Sequence, residues 1–261
     1  MNKAKKIIYI LLFVIFAAVF AISAYVVGDY FIDAARQRNM NKELVDIKEK
    51  AEPTATVTTP YTDPETNEPE TILPEYTDLF LKNPDLVGWI TIPGTKVDYP
   101  VLQSPESPDY YLKHNFEKES TSRGAIYARE VCDINRPSDN ITIYGHNMRD
   151  GTMFKTLISY QKREFWQEHR TFTFDTLTQH HTYEVMSVFK TSGYADEGFP
   201  YHLFVDASTP EEFDEFVDTV KSLELFETGL SAEYGDKLIC LSTCEYSRPN
   251  GRLVVVAKRI S

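Results

Sequence analysis

The sequence is short of cysteine, of clustered positive charge and of glycine-rich loops, and each shortage removes a class of function. Its 261 residues hold three cysteines, Cys132, Cys240 and Cys244, and no Cys-x-x-Cys pair. That spacing argues against zinc ribbons and dithiol redox centres. The histidines do not make up the deficit: His180 and His181 are adjacent and point to opposite faces of a strand, His114, His169 and His202 lack nearby ligand partners, and His146 with Cys244 is too small a set for zinc. No metal and no cofactor is therefore expected. Lys and Arg number 27 against 39 Asp and Glu, a net charge of -12, which argues against binding a nucleic-acid backbone. There is no glycine-rich phosphate loop and no internal repeat.

One long hydrophobic run is present. Lys3, Lys5 and Lys6 precede an uncharged stretch at 7–27, about the 20 apolar residues that cross a bilayer. It is longer than the apolar part of a cleavable signal peptide. The positive flank predicts a cytoplasmic N-terminus, a single-pass anchor over 1–28, and an extracellular remainder. Residues 29–50 are polar with some helical potential, and 52–74 are rich in Thr, Pro and Glu with almost no large aliphatic residues. The span 29–74 is expected to be a linker, extended in its second half.

From residue 75 to 261 the chain is long enough for one domain with a sizeable core. Short segments rich in β-branched and aromatic residues, separated by Pro, Gly, Asn and Asp, predict strands at 87–92, 98–102, 124–128, 141–144, 171–177, 181–191, 237–243 and 253–260. Eight short strands with turn signals predict a mainly β fold, a closed sandwich or barrel. Helices are few. The clearest starts after Thr209, with Pro210 in the first turn, Glu212 three residues beyond the cap, and Phe213, Phe216, Val217, Val220 and Leu223 along one face. Shorter helices are expected at 76–82 and 153–160.

Cys244 closes one predicted strand and Arg252 opens the next, with the loop signals Pro249, Asn250 and Gly251 between them. Paired as a hairpin, these strands bring a thiol and a guanidinium to one end of a sheet, where a neighbouring cation favours the nucleophilic thiolate. A lone cysteine is also commonly a small buried apolar residue, and Cys240, in mid-strand, reads that way. An odd count in an extracellular setting leaves at least one thiol free. Cys240 and Cys244 cannot bridge within one extended strand at about 3.3 Å per residue, whereas a Cys132–Cys240 disulfide is compatible with the count. A nucleophile needs a base, and His146 stands just past another strand end, after Gly145; imidazole can both take and return a proton near neutrality. Arg248, in the loop before Pro249, is a less fixed cation than Arg252.

These residues resemble the sortases, cysteine transpeptidases of Gram-positive cell surfaces, and class B in particular. The family's Thr-Leu-x-Thr-Cys motif, followed by a short loop, an arginine and a Val-rich strand, appears as Cys240, Leu241, Ser242, Thr243 and Cys244, then Arg252 and 253–258. Cys240 replaces the motif's usual Thr. The segment around Tyr144, Gly145, His146, Asn147 and Met148 and the stretches at 87–95, 99–102 and 110–115 extend the likeness. The resemblance implies a closed sortase-type β-barrel with peripheral helices, one of them before the cysteine strand and one packed at its N-terminal side.

It further implies Cys244 as nucleophile, His146 as acid and base, and Arg252 as the donor to substrate or oxyanion. Leu241, Ser242 and Thr243 are expected to line the substrate groove, and Glu245 to bias His146 or the substrate. The implied partners are secreted proteins carrying a C-terminal sorting signal and, as acceptor, an amine of a peptidoglycan precursor such as lipid II or of a pilin. The alternatives left open by the residues are a cysteine hydrolase with the same site and an anchored binding module without chemistry. The compact Ser-x-Gly-Cys-x-Arg signature of L,D-transpeptidases is absent.

Overall fold

The computed structural model describes residues 3–52, 56–62, 68–194 and 196–261. Its chain divides into two units, 1–43 and 44–261. The first lies within a single helix, α1 (Lys3–Glu49), which runs on through the polar residues after the apolar stretch. By length and composition this helix can cross a membrane.

All eight predicted strands are present in the second unit and close on themselves. They are β3 (Leu86–Thr91), β4 (Asp98–Leu102), β5 (Ile126–Ala128), β6 (Asn140–Tyr144), β7 (Thr171–Thr176), β8 (Thr182–Ser192), β9 (Leu238–Cys244) and β10 (Gly251–Arg259). The order around the barrel is β10-β8-β7-β3-β4-β5-β6-β9. Closure leaves no free sheet edge. Neighbours are antiparallel except β4 with β5 and β6 with β9, which are parallel.

Alternation along β9 and β10 explains why both strands read as continuous apolar runs. Ile239, Leu241, Leu253, Val255 and Ala257 fill the barrel interior. Leu238, Cys240, Val254 and Val256 face outward, into a second apolar cluster with Phe213, Phe216, Val217 and Val220. Those four residues belong to α4 (Pro210–Ser222), which the sequence anticipates. Thr209 caps it by accepting from the Glu212 backbone N–H at 3.4 Å, and the Glu212 carboxylate reaches back to the Ser208 N–H at 2.7 Å.

The other helices flank the barrel. The helix α2 (Pro74–Lys82) places Tyr76 against Trp89, where its hydroxyl donates to Asp175 at 2.7 Å. At the end of α1, Lys48 pairs with Asp98 at 3.3 Å and lies 4.5 Å above the Trp89 ring. The helix expected at 153–160 is a 3-10 helix, Phe154–Gln161, continued by a helix not anticipated, α3 (Arg163–Glu168).

The segment read as extended linker departs from expectation. Within it β1 (Thr58–Thr62) pairs antiparallel with β2 (Pro69–Thr71). Just beyond, Ile72 is buried, and the Leu73 N–H bonds the Leu177 carbonyl at 2.8 Å. Positions 53–55 and 63–67 of the expected linker lie outside the described residues.

Candidate active site

The β9–β10 hairpin forms with Arg252 directly opposite Cys244. Paired residues project from the same face, so the guanidinium and thiol leave the outer face of the barrel side by side, in line with Ser242 and Cys240. The connecting loop is closed by the Glu245 N–H bonding the Gly251 carbonyl at 2.9 Å, and Asn250 takes a left-handed φ of 47° at its tip. Arg252 Nη1 donates to the Gly251 and Asn250 carbonyls at 3.1 and 3.4 Å, holding the guanidinium over the loop. Arg248 is exposed in that loop and does not line the cavity.

The parallel pairing of β6 with β9 brings in the histidine. Tyr144 lies opposite Ser242. Two residues further along each chain stand His146 and Cys244. Three bonds weld the two strand ends: Gly145 N–H to the Ser242 carbonyl at 3.1 Å, Thr243 Oγ1 to the Gly145 carbonyl at 2.7 Å, and Asn147 Nδ2 to the Cys244 carbonyl at 2.8 Å. The His146 ring is held on its other side, with Nε2 bonding the Leu112 carbonyl at 2.8 Å.

Cys244, His146 and Arg252 line one cavity of about 340 Å³ together with Ser242, Tyr201 and His202. All three are half-buried: reachable, yet partly withdrawn from water. Tyr201 and Ser242 share a hydrogen bond of 2.6 Å, and burial lifts the Tyr201 phenol to about 12. Burial, and then the nearby Arg129 charge, hold the His202 imidazole below its ordinary value. The set joins a thiol, an imidazole and a fixed cation in one concave site, an arrangement suited to covalent acyl transfer. Among the described residues no group of three or more His, Cys, Asp or Glu is placed to hold a metal ion.

The remaining sequence candidates separate. Ser242 and Thr243 line the cavity, but Leu241 points into the barrel interior and is fully buried, which corrects its reading as a groove residue. The alternation that turns Ser242 and Cys244 to the cavity side of β9 turns Leu241 to the barrel interior. Glu245 does not line the cavity either. Its carboxylate accepts from Ser247 Oγ at 2.5 Å, from the Ser247 N–H at 3.1 Å and from Lys190 at 3.4 Å. Burial pushes this carboxyl up, and the Ser247 and Lys190 contacts outweigh that and leave it below the usual range. All three cysteines are free thiols, so Cys132 and Cys240 are not bridged. Asn147, Leu112, Tyr201 and His202 were not candidates from sequence; their carbonyls, amides and rings gain meaning only once distant strands pair.

A sortase-domain family model matches residues 90–260, which includes every strand of the barrel except the start of β3. The chain belongs to the sortase family. It is 34% identical to sortase B of Listeria monocytogenes over 192 residues, 72% of this chain and 74% of that one. Among solved structures, sortase B from Bacillus anthracis is similar with a TM-score of 0.73 at 30% identity, covering 88% of this chain and 99% of that one. A Staphylococcus aureus sortase B–substrate complex also gives 0.73, at 26% identity, over 88% and 99% of the two chains. This sortase is therefore a cysteine transpeptidase with class B relatives, built on their closed barrel.

Proposed function

We propose that this sortase is held on the outer face of the membrane by α1, with its N-terminus in the cytoplasm, and cleaves a C-terminal sorting signal on secreted proteins through a Cys244 thioester. The observation that carries the assignment is the cavity shared by thiol, imidazole and guanidinium at three strand ends. The uncharged 7–27 stretch behind three lysines supports the anchor and its direction. The S. aureus relative has been solved with its substrate, and the corresponding ligand here is a sorting peptide seated in this cavity.

In the reaction, His146 takes the Cys244 proton and the thiolate attacks the scissile carbonyl. The carbonyl π pair moves to oxygen, and Arg252 donates to that oxygen; one such donor is typically worth about 3 kcal/mol of barrier. Nη1 carries both backbone bonds of Arg252, and the five-donor fork has further N–H groups for a ligand. As the oxyanion collapses, the C–N bond breaks with its electrons on nitrogen, and imidazolium supplies the proton to the departing amine. The acceptor amine then attacks the thioester, gives its proton to His146, and the C–S electrons return to sulfur. The acceptor is an amine of a peptidoglycan precursor such as lipid II or of a pilin subunit.

Mass spectrometry of the enzyme exposed to a library of sorting peptides tests this. A covalent adduct on Cys244 is expected, lost in Cys244→Ala, with ligated product only when an amine is added. Turnover by Cys244→Ala, or cleaved product alone despite added amine, overturns the transpeptidase assignment.

A further inference from the structure

We propose that His146 exchanges protons with substrate and thiol through Nδ1 alone, because the Leu112 carbonyl holds a hydrogen on Nε2. The inference rests on the acid–base role proposed for His146 and adds which atom performs it. Nε2 lies 2.8 Å from the Leu112 oxygen. A carbonyl oxygen only accepts, so Nε2 is the donor whether the ring is neutral or charged. Neutral imidazole carries one N–H, and the lone pair that can take a proton is then on Nδ1.

The acceptor is fixed in place. Leu112 ends a 3-10 turn, Tyr110–Leu112, entered through Asp109 in the left-handed region at φ 57°. The Asp109 carboxylate accepts from the Tyr127 hydroxyl at 2.8 Å, and the Ala125 N–H bonds the Tyr111 carbonyl at 2.8 Å. Gly124 closes the arrangement from behind. At φ 57° it has no Cβ, and one added there would stand 2.5 Å from the Tyr111 oxygen and 2.6 Å from the Leu112 oxygen. The carbonyl can stand where it does only because that position is glycine.

The rest of the ring's environment is consistent with this orientation. The His146 carbonyl accepts from the Phe154 N–H at 3.0 Å, and the next residue is tied to the Cys244 carbonyl. The carboxylate nearest Cys244 in sequence, Glu245, is engaged by Ser247 and Lys190. A backbone carbonyl thus fills the orienting position that a carboxylate holds in a Ser-His-Asp triad. Leu112 and Gly124 are positioning residues and touch no reacting atom.

The test is 15N NMR of the full-length enzyme in detergent with labelled histidine, recorded with the ring neutral, with His146→Ala assigning the signal. A pyrrole-type Nε2 and a pyridine-type Nδ1 are expected, and Gly124→Ala should mix the two tautomers. Should that variant fail to fold, the wild-type spectrum decides alone. Nδ1-methylhistidine at position 146 is expected to cut turnover by about 100- to 10,000-fold, the range of a lost acid–base group. A proton on Nδ1 in the neutral wild-type ring, or wild-type turnover with Nδ1 methylated, overturns the proposal. Full activity in His146→Ala would instead overturn the acid–base role itself, which the spectrum does not measure.

Discussion

Asn147 donates its side-chain amide to the main-chain carbonyl of Cys244 at 2.8 Å, across 97 positions of sequence. The residue after the histidine thereby clamps the peptide plane of the cysteine, and its own carbonyl lies 3.5 Å from the Tyr246 hydroxyl. Asn147 is buried, so removing its amide leaves the Cys244 oxygen short of a partner. Asn147→Ala is expected to lower the stability by about 1–2 kcal/mol. It should also reduce kcat more than KM, since the clamp joins the segments that carry the proposed reacting pair, His146 and Cys244. Urea titration and steady-state kinetics check both, and an unchanged kcat removes the clamp from the chemistry.

A different reading of the same hairpin concerns reactivity. Cys132 and Cys240 are buried, and burial pushes both thiols up. Cys244 is half-buried at the cavity. Iodoacetamide at neutral pH should therefore add once to the native enzyme, at Cys244, and not at all to Cys244→Ala over the same interval. Intact-mass measurement reads the count directly. An adduct on Cys132 or Cys240 in the native protein would contradict the burial.

Much of the barrel was legible because its strands carry local signals, and the exceptions are non-local. The run from Leu238 to Thr243, the loop at Pro249 to Gly251 and the run after Arg252 announce a hairpin, and Arg252 indeed pairs with Cys244. Nothing local announces that β6 lies parallel to β9. That pairing joins segments about a hundred positions apart, so the meeting of His146 with Cys244 rested on chemistry and family resemblance. Alternation places Ser242 with Cys244 and Leu241 opposite them, but does not say which face is interior. The β1–β2 hairpin was hidden in a Thr, Pro and Glu-rich segment because ties that hold it, such as the Leu73–Leu177 bond, join residues about a hundred positions apart.

Near neutral pH, two histidines contribute to the pH dependence of stability. Burial, then Arg129, hold His202 below its ordinary value; burial, then Arg259, do the same for His181. Each binds its proton more weakly folded than unfolded, so the unfolded chain gains protons first as pH falls. Their contribution is complete above the unfolded histidine value of about 6.5 and is lost as pH drops from there toward the depressed folded values. The urea midpoint should fall between about pH 7.5 and about pH 5.5, and the double variant His181→Gln with His202→Gln should flatten that slope. An equal slope in both proteins would assign it elsewhere.

The segment leading into β5 carries a buried cation. Arg123 has a side chain 1% exposed and donates Nη1 to Asp150 at 2.7 Å. Burial pushes the Asp150 carboxyl up, but hydrogen bonds from Thr152 and Arg123 outweigh it and hold the group below its usual range. Its contribution is therefore present above the unfolded carboxylate value of about 4 and is lost as pH falls further. Asp150→Asn is expected to cost about 3 kcal/mol, because it removes a carboxylate that pairs with a buried guanidinium. The exposed pair Arg170 and Glu184, at 3.2 Å, offers the control: Glu184→Gln should cost within about 0.5 kcal/mol. Equal losses would mean that water reaches Arg123.

Leu241 and Ser242 are neighbours in sequence whose substitutions should have opposite consequences. Leu241 is fully buried among interior residues such as Ile143, Leu253 and Val255. Truncation to Ala opens a cavity in a packed core, at an expected cost of about 2–5 kcal/mol, with KM unchanged in the fraction that folds. Ser242 faces the active-site cavity and bonds the Tyr201 hydroxyl at 2.6 Å. Ser242→Ala frees that phenol from its partner at the cavity wall, for about 1 kcal/mol of stability and a raised KM for the sorting peptide. Urea midpoints alongside peptide kinetics separate the two. A KM effect at Leu241 with none at Ser242 would mean that the substrate enters by the other face of β9.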